Sequence, residues 1–421
     1  LHLSIRRQRQ MCIRDRYASV TIGKPGTGGA NQSSNAVSVG SISSSGSIKI
    51  YGGAVTLAGG LTSTATSGDG ILVKATGDIT SNVGTAQTRV PISVTGTNST
   101  APVTLWSNSD ASGSGDILLN NFATVSTENG PITMAGSATA NESNPTGYSL
   151  STANSTGGVQ LGTSNAANVV LVQSKAGDIT IRGRGQGTGS WGIVAYAGFN
   201  INSGTGRILL DGYQTSTGNG IDLEATALIP STVTSAATSG ATPAISLIGR
   251  CDQSGTGNGE RGIYLTPGLT ISATGGGDVS LVGENVAVAT TNPGAVLVWG
   301  TNVLASGGQI RIDGGADGVV TSVASTTSNI GATSAGTSTS NVVIVGDRII
   351  AAGTTNIKTS GSVVMESSGA AFTSFSLSGT SINASATAIR IGKTNDVSST
   401  QSISGALSAA GPISVSYTHL R

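Results

Sequence analysis

The stretch GIVAYAGFNINSGTGRILLDG, residues 192–212, aligns almost residue for residue with GIYLTPGLTISATGGGDVSLVG (262–283) and with GAVLVWGTNVLASGGQIRIDG (294–314). Each reads as a strand, a glycine (Gly198, Gly268, Gly300), a second strand, a glycine-rich turn, a third strand and a closing glycine. Unrelated loops rarely keep three strands and their turns aligned over 21 or 22 residues, so the three segments are an internal repeat. GILVKATGDIT from Gly70 and VVLVQSKAGDITI from Val169 are shorter relatives.

Working outward, one short pattern recurs: Gly, any residue, Ile or Val, any residue, then an aliphatic residue or Met. It appears as GSIKI at Gly46, GDILL at Gly115, GPITM at Gly130, GDITI at Gly177 and GRILL at Gly206. It returns as GDVSL at Gly277, GQIRI at Gly308, GSVVM at Gly361 and GPISV at Gly411, with a weaker copy, GDITS, at Gly77. Apolar residues two apart with a polar residue between them have the period of a half-buried strand. Ile310 and Ile312 are therefore expected to face inward, and Arg311 and Asp313 outward. The leading glycine is expected to permit a sharp corner.

Some markers lie 29 or 31 residues apart, as from Gly177 to Gly206 and from Gly46 to Gly77; others lie 15, 53 or 71 apart. The irregular intervals predict unmarked coils and outward loops. STVTSAATSGATP (231–243) and SVASTTSNIGATSAGTSTS (322–340) read as such loops, being poor in apolar residues. A single repeat cannot bury its own apolar stripe, whereas stacked repeats share a thin continuous core. Coils of about 20–30 residues stacked at ~4.8 Å predict roughly 13–20 coils and a rod of about 60–95 Å.

Composition fits this reading. Gly supplies 63 of 421 residues, aromatics 3% and charged residues 10%, yet the hydrophobic fraction of 37% arrives in short alternating runs. A disordered Gly/Ser tract would lack those runs. Capped helical patterns are missing throughout, so very little α-helix is expected.

The two ends depart from the middle. Residues 1–16, LHLSIRRQRQMCIRDR, hold five arginines and no glycine, and the chain closes on VSYTHLR. Both strings resemble translated sequencing-adapter read-through; a basic arm is the other reading of the first. The expected organisation is thus an extraneous segment over 1–16, one β-solenoid over 17–414 and a second extraneous segment over 415–421. Setting aside six cations of 21 and Asp15 of 20 acids leaves 15 against 19. The formal charge of +1 becomes −4, and no nucleic-acid footprint is expected. His2 and His419, the only histidines, and Cys12 lie in these ends; Cys251 stands alone, without a disulfide framework or zinc cluster.

Segments such as AGDITIRG, TGGGDVSLVG and GGQIRIDG resemble the repeats of filamentous-haemagglutinin-type and autotransporter-like passengers, the β-helical parts of bacterial surface or secreted adhesins. The resemblance covers most of residues 40–415 and lies in repeat style, not in a signature site. It implies an all-β, right-handed parallel β-helix located outside the cell or at the bacterial surface. It also implies partners among host or matrix glycans or other surface proteins, with outer-membrane anchoring through other regions of a longer protein. Open end coils would favour self-association.

For chemistry the expectation is a non-catalytic structural or adhesive segment, with no catalytic, cofactor-binding or metal-ligating residue assigned. Between residues 17 and 414 no histidine is available to activate a Ser or Cys nucleophile. GRGQGTG at Gly183 lacks the GK[ST] ending of a phosphate loop and reads as a turn. GGGDVSLVG and GGADGVV miss the spacing of calcium-binding nonapeptides.

The alternative is a carbohydrate-active parallel β-helix, a glycoside hydrolase or lyase, which needs two converging carboxylates. Asp211, Asp222 and Glu224 form one sequence cluster and Asp313 with Asp317 a second; each is expected to be a solvated face residue. Trp106, Trp191 and Trp299, with Tyr196 and Tyr264, could stack on sugars, but are expected to fill core or corner gaps. Arg182 and Arg184 are expected outward and solvated.

Overall fold

The computed structural model describes residues 19–416, apart from 27–31, 83, 86–87, 141, 168, 253–259, 286–293, 334–337, 384, 394–400 and 404. The expected segment 1–16 and the last five residues lie outside the described set. Val415, the first residue of the closing string, ends a strand and pairs with Ile391. Among the described residues there is no helix; every regular element is a strand.

The strands fall into three parallel sheets visited in rotation. The first sheet has 15 strands, 14 of them on one path, and the second and third have 13 each. The repeat 192–212 is one such rotation: Trp191–Ala195 in the second sheet, Asn200–Asn202 in the third, Ile208–Gln214 in the first. Residues 262–283 and 294–314 follow the same order. Over the described residues the chain is a parallel β-solenoid of 13 circuits along the first-sheet path, a rod of about 60 Å at ~4.8 Å per circuit. Circuits run from 21 residues (Val342 to Val363), inside the expected length, to 47 (Ile132 to Ile179), where an insertion carries the circuit beyond it.

Period-2 alternation decides what each strand buries. In the first sheet Ile179, Ile208, Ile245, Val279 and Ile310 stack in one column, and Ile181, Leu210, Leu247, Leu281 and Ile312 in the next. All are essentially without solvent exposure. Burial stabilises each aliphatic side chain by roughly 1.5–3 kcal/mol, and a small circuit has only such columns to hold it. Inward hydroxyls extend the core: the Ser63, Ser203 and Ser235 hydroxyls donate to the carbonyls of Gly46, Gly206 and Gly206 at 2.8, 2.7 and 2.7 Å. A chain this rich in serine can therefore bury much of it without orphaning polar groups.

The marker glycines do a different job from the one expected. Among them only Gly308 has positive φ, whereas Gly198, Gly268 and Gly300, between the second and third sheets, have φ of 95°, 92° and 58°. The leading glycines are needed for close stacking instead. A Cβ at Gly130, Gly177 or Gly206 would overlap the carbonyl oxygen of Ala101, Gly130 or Gly177 in the circuit beneath.

Several sequence expectations are corrected. GDITS and GDILL begin second-sheet strands, Ile79–Ser81 and Ile117–Leu119, so the Gly46–Gly77 interval compares two faces. GILVKATGDIT runs from the first sheet to the second and VVLVQSKAGDITI from the third to the first. The 71- and 53-residue intervals each hide one circuit, whose first-sheet strands Ile245–Cys251 and Asn341–Val345 lack the glycine. Ser231–Ser235 and Thr327–Gly331, read as loops, are third-sheet strands. Val233 and Ile330 alone supply their apolar contact, each fully buried between aliphatic partners. GRGQGTG begins inside a strand, since Ile179–Gly185 extends through its first three residues.

The longest circuit carries an extra strand, Ser149–Ser151, which pairs with Gly183–Gly185 and lengthens the first sheet sideways. From Ile179 to Asn285 the first-sheet strands are seven residues long.

Candidate functional site

Alternation in the second sheet sends every other residue of each strand to its outer side. Val194, Asp222, Tyr264 and Leu297 are consecutive register partners on that side. Two residues further on, after the inward Ala195, Leu223, Leu265 and Val298, come Tyr196, Glu224, Thr266 and Trp299. Four adjacent circuits thus carry two carboxylates amid three aromatic rings, over about 14 Å of rod.

Asp222 is only 6% exposed, against the expectation of a solvated residue. A short side chain between Val194 and Tyr264 on a parallel sheet is overtopped by its neighbours. Its Oδ2 accepts the Asn219 side-chain amide at 2.9 Å, while Oδ1 is buried without a hydrogen-bond partner. Burial pushes the Asp222 carboxyl up to about 7; the Asn219 amide opposes, the Glu224 charge adds, and the nearby Trp191 indole opposes. Glu224 is half-buried and also raised by burial, with the Asn165 side chain opposing. Two neighbouring carboxyls whose ionised forms are both disfavoured resist double ionisation.

The aromatic residues divide. Trp106 is a corner filler as expected: it is 3% exposed, its Nε1 donates to Ser137 Oγ at 2.9 Å, and the Lys74 ammonium lies 3.8 Å from its ring centroid. Trp191, Tyr196, Tyr264 and Trp299 instead keep partial exposure. Tyr264 and Trp299 meet edge-on, centroids 6.2 Å apart and planes at 73°. The Trp299 Nε1–H is buried with no acceptor. Burial raises both phenols, Tyr196 and Tyr264, and the charges of Asp222 and Glu224 add to it.

The remaining candidates lie elsewhere. Asp211 is on the outer side of the first sheet, so the cluster Asp211, Asp222 and Glu224 is split between two faces. Asp211 is 7% exposed because longer neighbours cover it. Tyr148, from the 47-residue circuit, donates to its Oδ1 at 3.0 Å, and the Arg182 Nε is 3.9 Å from Oδ2. Arg182 also donates to the Thr146 carbonyl, and the Arg184 guanidinium lies 4.9 Å from the Tyr213 centroid. Both arginines are therefore engaged and half-buried, not freely solvated.

Asp313 pairs with Arg311 at 2.5 Å. Asp317, 1% exposed, accepts from Gly294 N–H and the Asn285 amide at 3.3 Å each, with Arg348 at 4.0 Å. Cys251 is buried, its thiol directed at the Gly218 carbonyl at 3.4 Å. Among the described residues no three His, Cys, Asp or Glu side chains converge as metal ligands.

Asn219, Asn165 and the role of Trp191 were not anticipated. Aligning GIDLE at Gly220 with GIVAY at Gly192 and GIYLT at Gly262 would have placed both carboxylates beside the aromatic positions. Comparison with models of protein families, with curated proteins and with solved structures returned no match.

Proposed function

We propose that the chain is a non-catalytic structural and adhesive segment of a larger exported bacterial surface protein. It acts as a stiff rod outside the cell, anchored to the outer membrane through other regions. The observation that carries this reading is the unbroken parallel stack of 13 circuits. Ladder hydrogen bonds run along the rod axis and the apolar columns run beside them, so bending must disturb both. Host or matrix glycans and other surface proteins are the proposed partners, with self-association through exposed end strands.

Small-angle scattering on the full chain should give an elongated particle with a long dimension of about 60 Å plus its loops. Beads coated with the chain should adhere to glycan- or matrix-coated surfaces where bare beads do not. Coated beads that attach to nothing would sink the adhesive half of the reading, and a compact particle the structural half.

A second reading is favoured by one observation. Asp222 and Glu224 share a face two residues apart, and the Asp222 carboxyl is raised to about 7. Glycoside hydrolysis divides acid and nucleophile or base roles between two carboxyls in this manner. Release of reducing ends from a polysaccharide, lost in Glu224→Gln, would replace the non-catalytic reading with this one.

A further inference from the structure

We propose that the outer face of the second sheet around Tyr264 is a binding site for an uncharged saccharide. The inference deepens the adhesive reading and rests on it.

Tyr264 sits between two buried polar atoms that lack partners: Asp222 Oδ1 in the preceding circuit and Trp299 Nε1 in the following one. A buried polar atom without a partner is costly, and natural chains retain few of them. The indole N–H is a donor, and the Asp222 carboxyl, raised to about 7, accepts when ionised and donates when protonated, so the group that meets both must be able to do either. An ammonium offers only donors and would leave the indole N–H unmet. A carboxylate or phosphate offers only acceptors at neutral pH and would face Asp222 and Glu224. A hydroxyl both donates and accepts, and vicinal hydroxyls on a pyranose can answer both atoms.

The apolar part of the surface agrees. Tyr264 and Trp299 meet edge-on and remain partly exposed, as does Tyr196, one circuit before Glu224. Ring faces of this kind take the C–H faces of sugars. Half-buried Glu224 supplies a further acceptor on the same side. Both orphan atoms are shielded from solvent, so binding has to shift the side chains that cover them, and indole fluorescence will report it.

The test uses the full chain and isothermal titration calorimetry, with fluorescence as a second readout. Probes are maltohexaose, cellohexaose, mannohexaose and N-acetylchitohexaose, against an oligogalacturonate and a chitosan oligomer as acidic and cationic comparators. At least one neutral probe should bind saturably and shift the indole emission. Trp299→Phe, which keeps a ring and removes the N–H, and Asp222→Leu should each weaken it about tenfold, the weight of one well-made hydrogen bond. Circular dichroism and the melting curve should stay as in the parent, and if Asp222→Leu fails to fold, Trp299→Phe alone decides.

No binding of any neutral probe by the folded chain overturns the proposal, as does binding confined to the acidic or cationic comparator. Unchanged affinity in Trp299→Phe overturns it too. Neutral saccharide binding by a chain whose coated beads still fail to adhere sinks the adhesive reading and leaves the site standing.

Discussion

The Asp178 Oδ1 accepts the backbone N–H of Arg207, one circuit further along, at 2.8 Å. The same reach joins Asp78 to the Asp116 N–H at 3.1 Å, Asp278 to Gln309 at 2.7 Å and Asn341 to Ser362 at 3.0 Å. Each acceptor precedes or begins a strand, where the backbone donor of the next circuit would otherwise face water or nothing. Asp78, Asp178 and Asp278, each the Asp of a GD pair, are thus clamps between circuits, not only turn residues.

Asp178→Ala should therefore cost about 1 kcal/mol, the usual net worth of one hydrogen bond, because Asp178 is exposed to solvent. Asp178→Asn, which keeps a carbonyl acceptor, should recover most of it. Urea denaturation of the full chain followed by far-UV circular dichroism measures both, with Lys24→Ala as an exposed control.

Burial makes a distinct prediction about pH. Asp116 is pushed up to about 7 by burial and by the stacked Asp78 charge, with the Ser151 hydroxyl opposing, and Asp222 is pushed to about 7 chiefly by burial. Both folded values exceed the ordinary value of 3.8. Over that window the folded chain holds more protons than the unfolded one, so this stability is complete below about pH 4 and is lost as pH rises through about 7. The double variant Asp116→Asn, Asp222→Asn should therefore gain on the parent between about pH 4 and 8, with no further gain above. Melting temperatures across that range decide it; a constant difference would show that neither carboxyl is raised.

Tyr148 ties the 47-residue circuit to its neighbours. Its hydroxyl donates to Asp211 at 3.0 Å and accepts from Arg250 Nη1 at 3.3 Å, and its ring lies 6.2 Å from that of Tyr213. Tyr148→Phe keeps the ring contact and removes both bonds. The expected cost is about 1 kcal/mol, with faster amide exchange at Leu150, whose N–H is bonded to the Gly115 carbonyl at 2.8 Å. Exchange at Ile181, Leu210 and Leu247 in the core column should not change, because their ladders do not depend on the strap.

How far the fold was legible follows from where its apolar residues fall. GDITI, GRILL and GQIRI carry two core residues on a glycine that must pack against the circuit beneath, so pattern and structure coincide. Ala244–Ile245 and Asn341–Val342 start equivalent strands without the glycine, because the strand's own columns suffice there. The faces were not legible: GDITS and GSIKI have the same local pattern and lie on different sheets, a difference set by circuit closure. The carboxylate–aromatic face depends on the partners Val194, Asp222 and Tyr264, which lie 28 and 42 residues apart. Only the register of an intervening insertion brings them together, and residues 231–243 disguised part of it as loop.

That disguise supplies the last prediction. Ser231–Ser235 has one aliphatic residue, Val233, fully buried between Ile201 and Ile271. Its flanking hydroxyls are inward too: Ser231 donates to the Glu224 carbonyl at 2.8 Å and Ser235 to that of Gly206 at 2.7 Å. In a surface loop Val233→Asp would be neutral, within about 0.5 kcal/mol. In this strand it places a carboxyl in a dry column with no partner, and charge burial of that kind costs several kcal/mol or forces local opening. A thin core has no spare depth to absorb it. Urea titration should show a loss of about 3 kcal/mol or more, or an early transition confined to the circuits around residue 233, whereas the exposed Leu228→Asp should change neither.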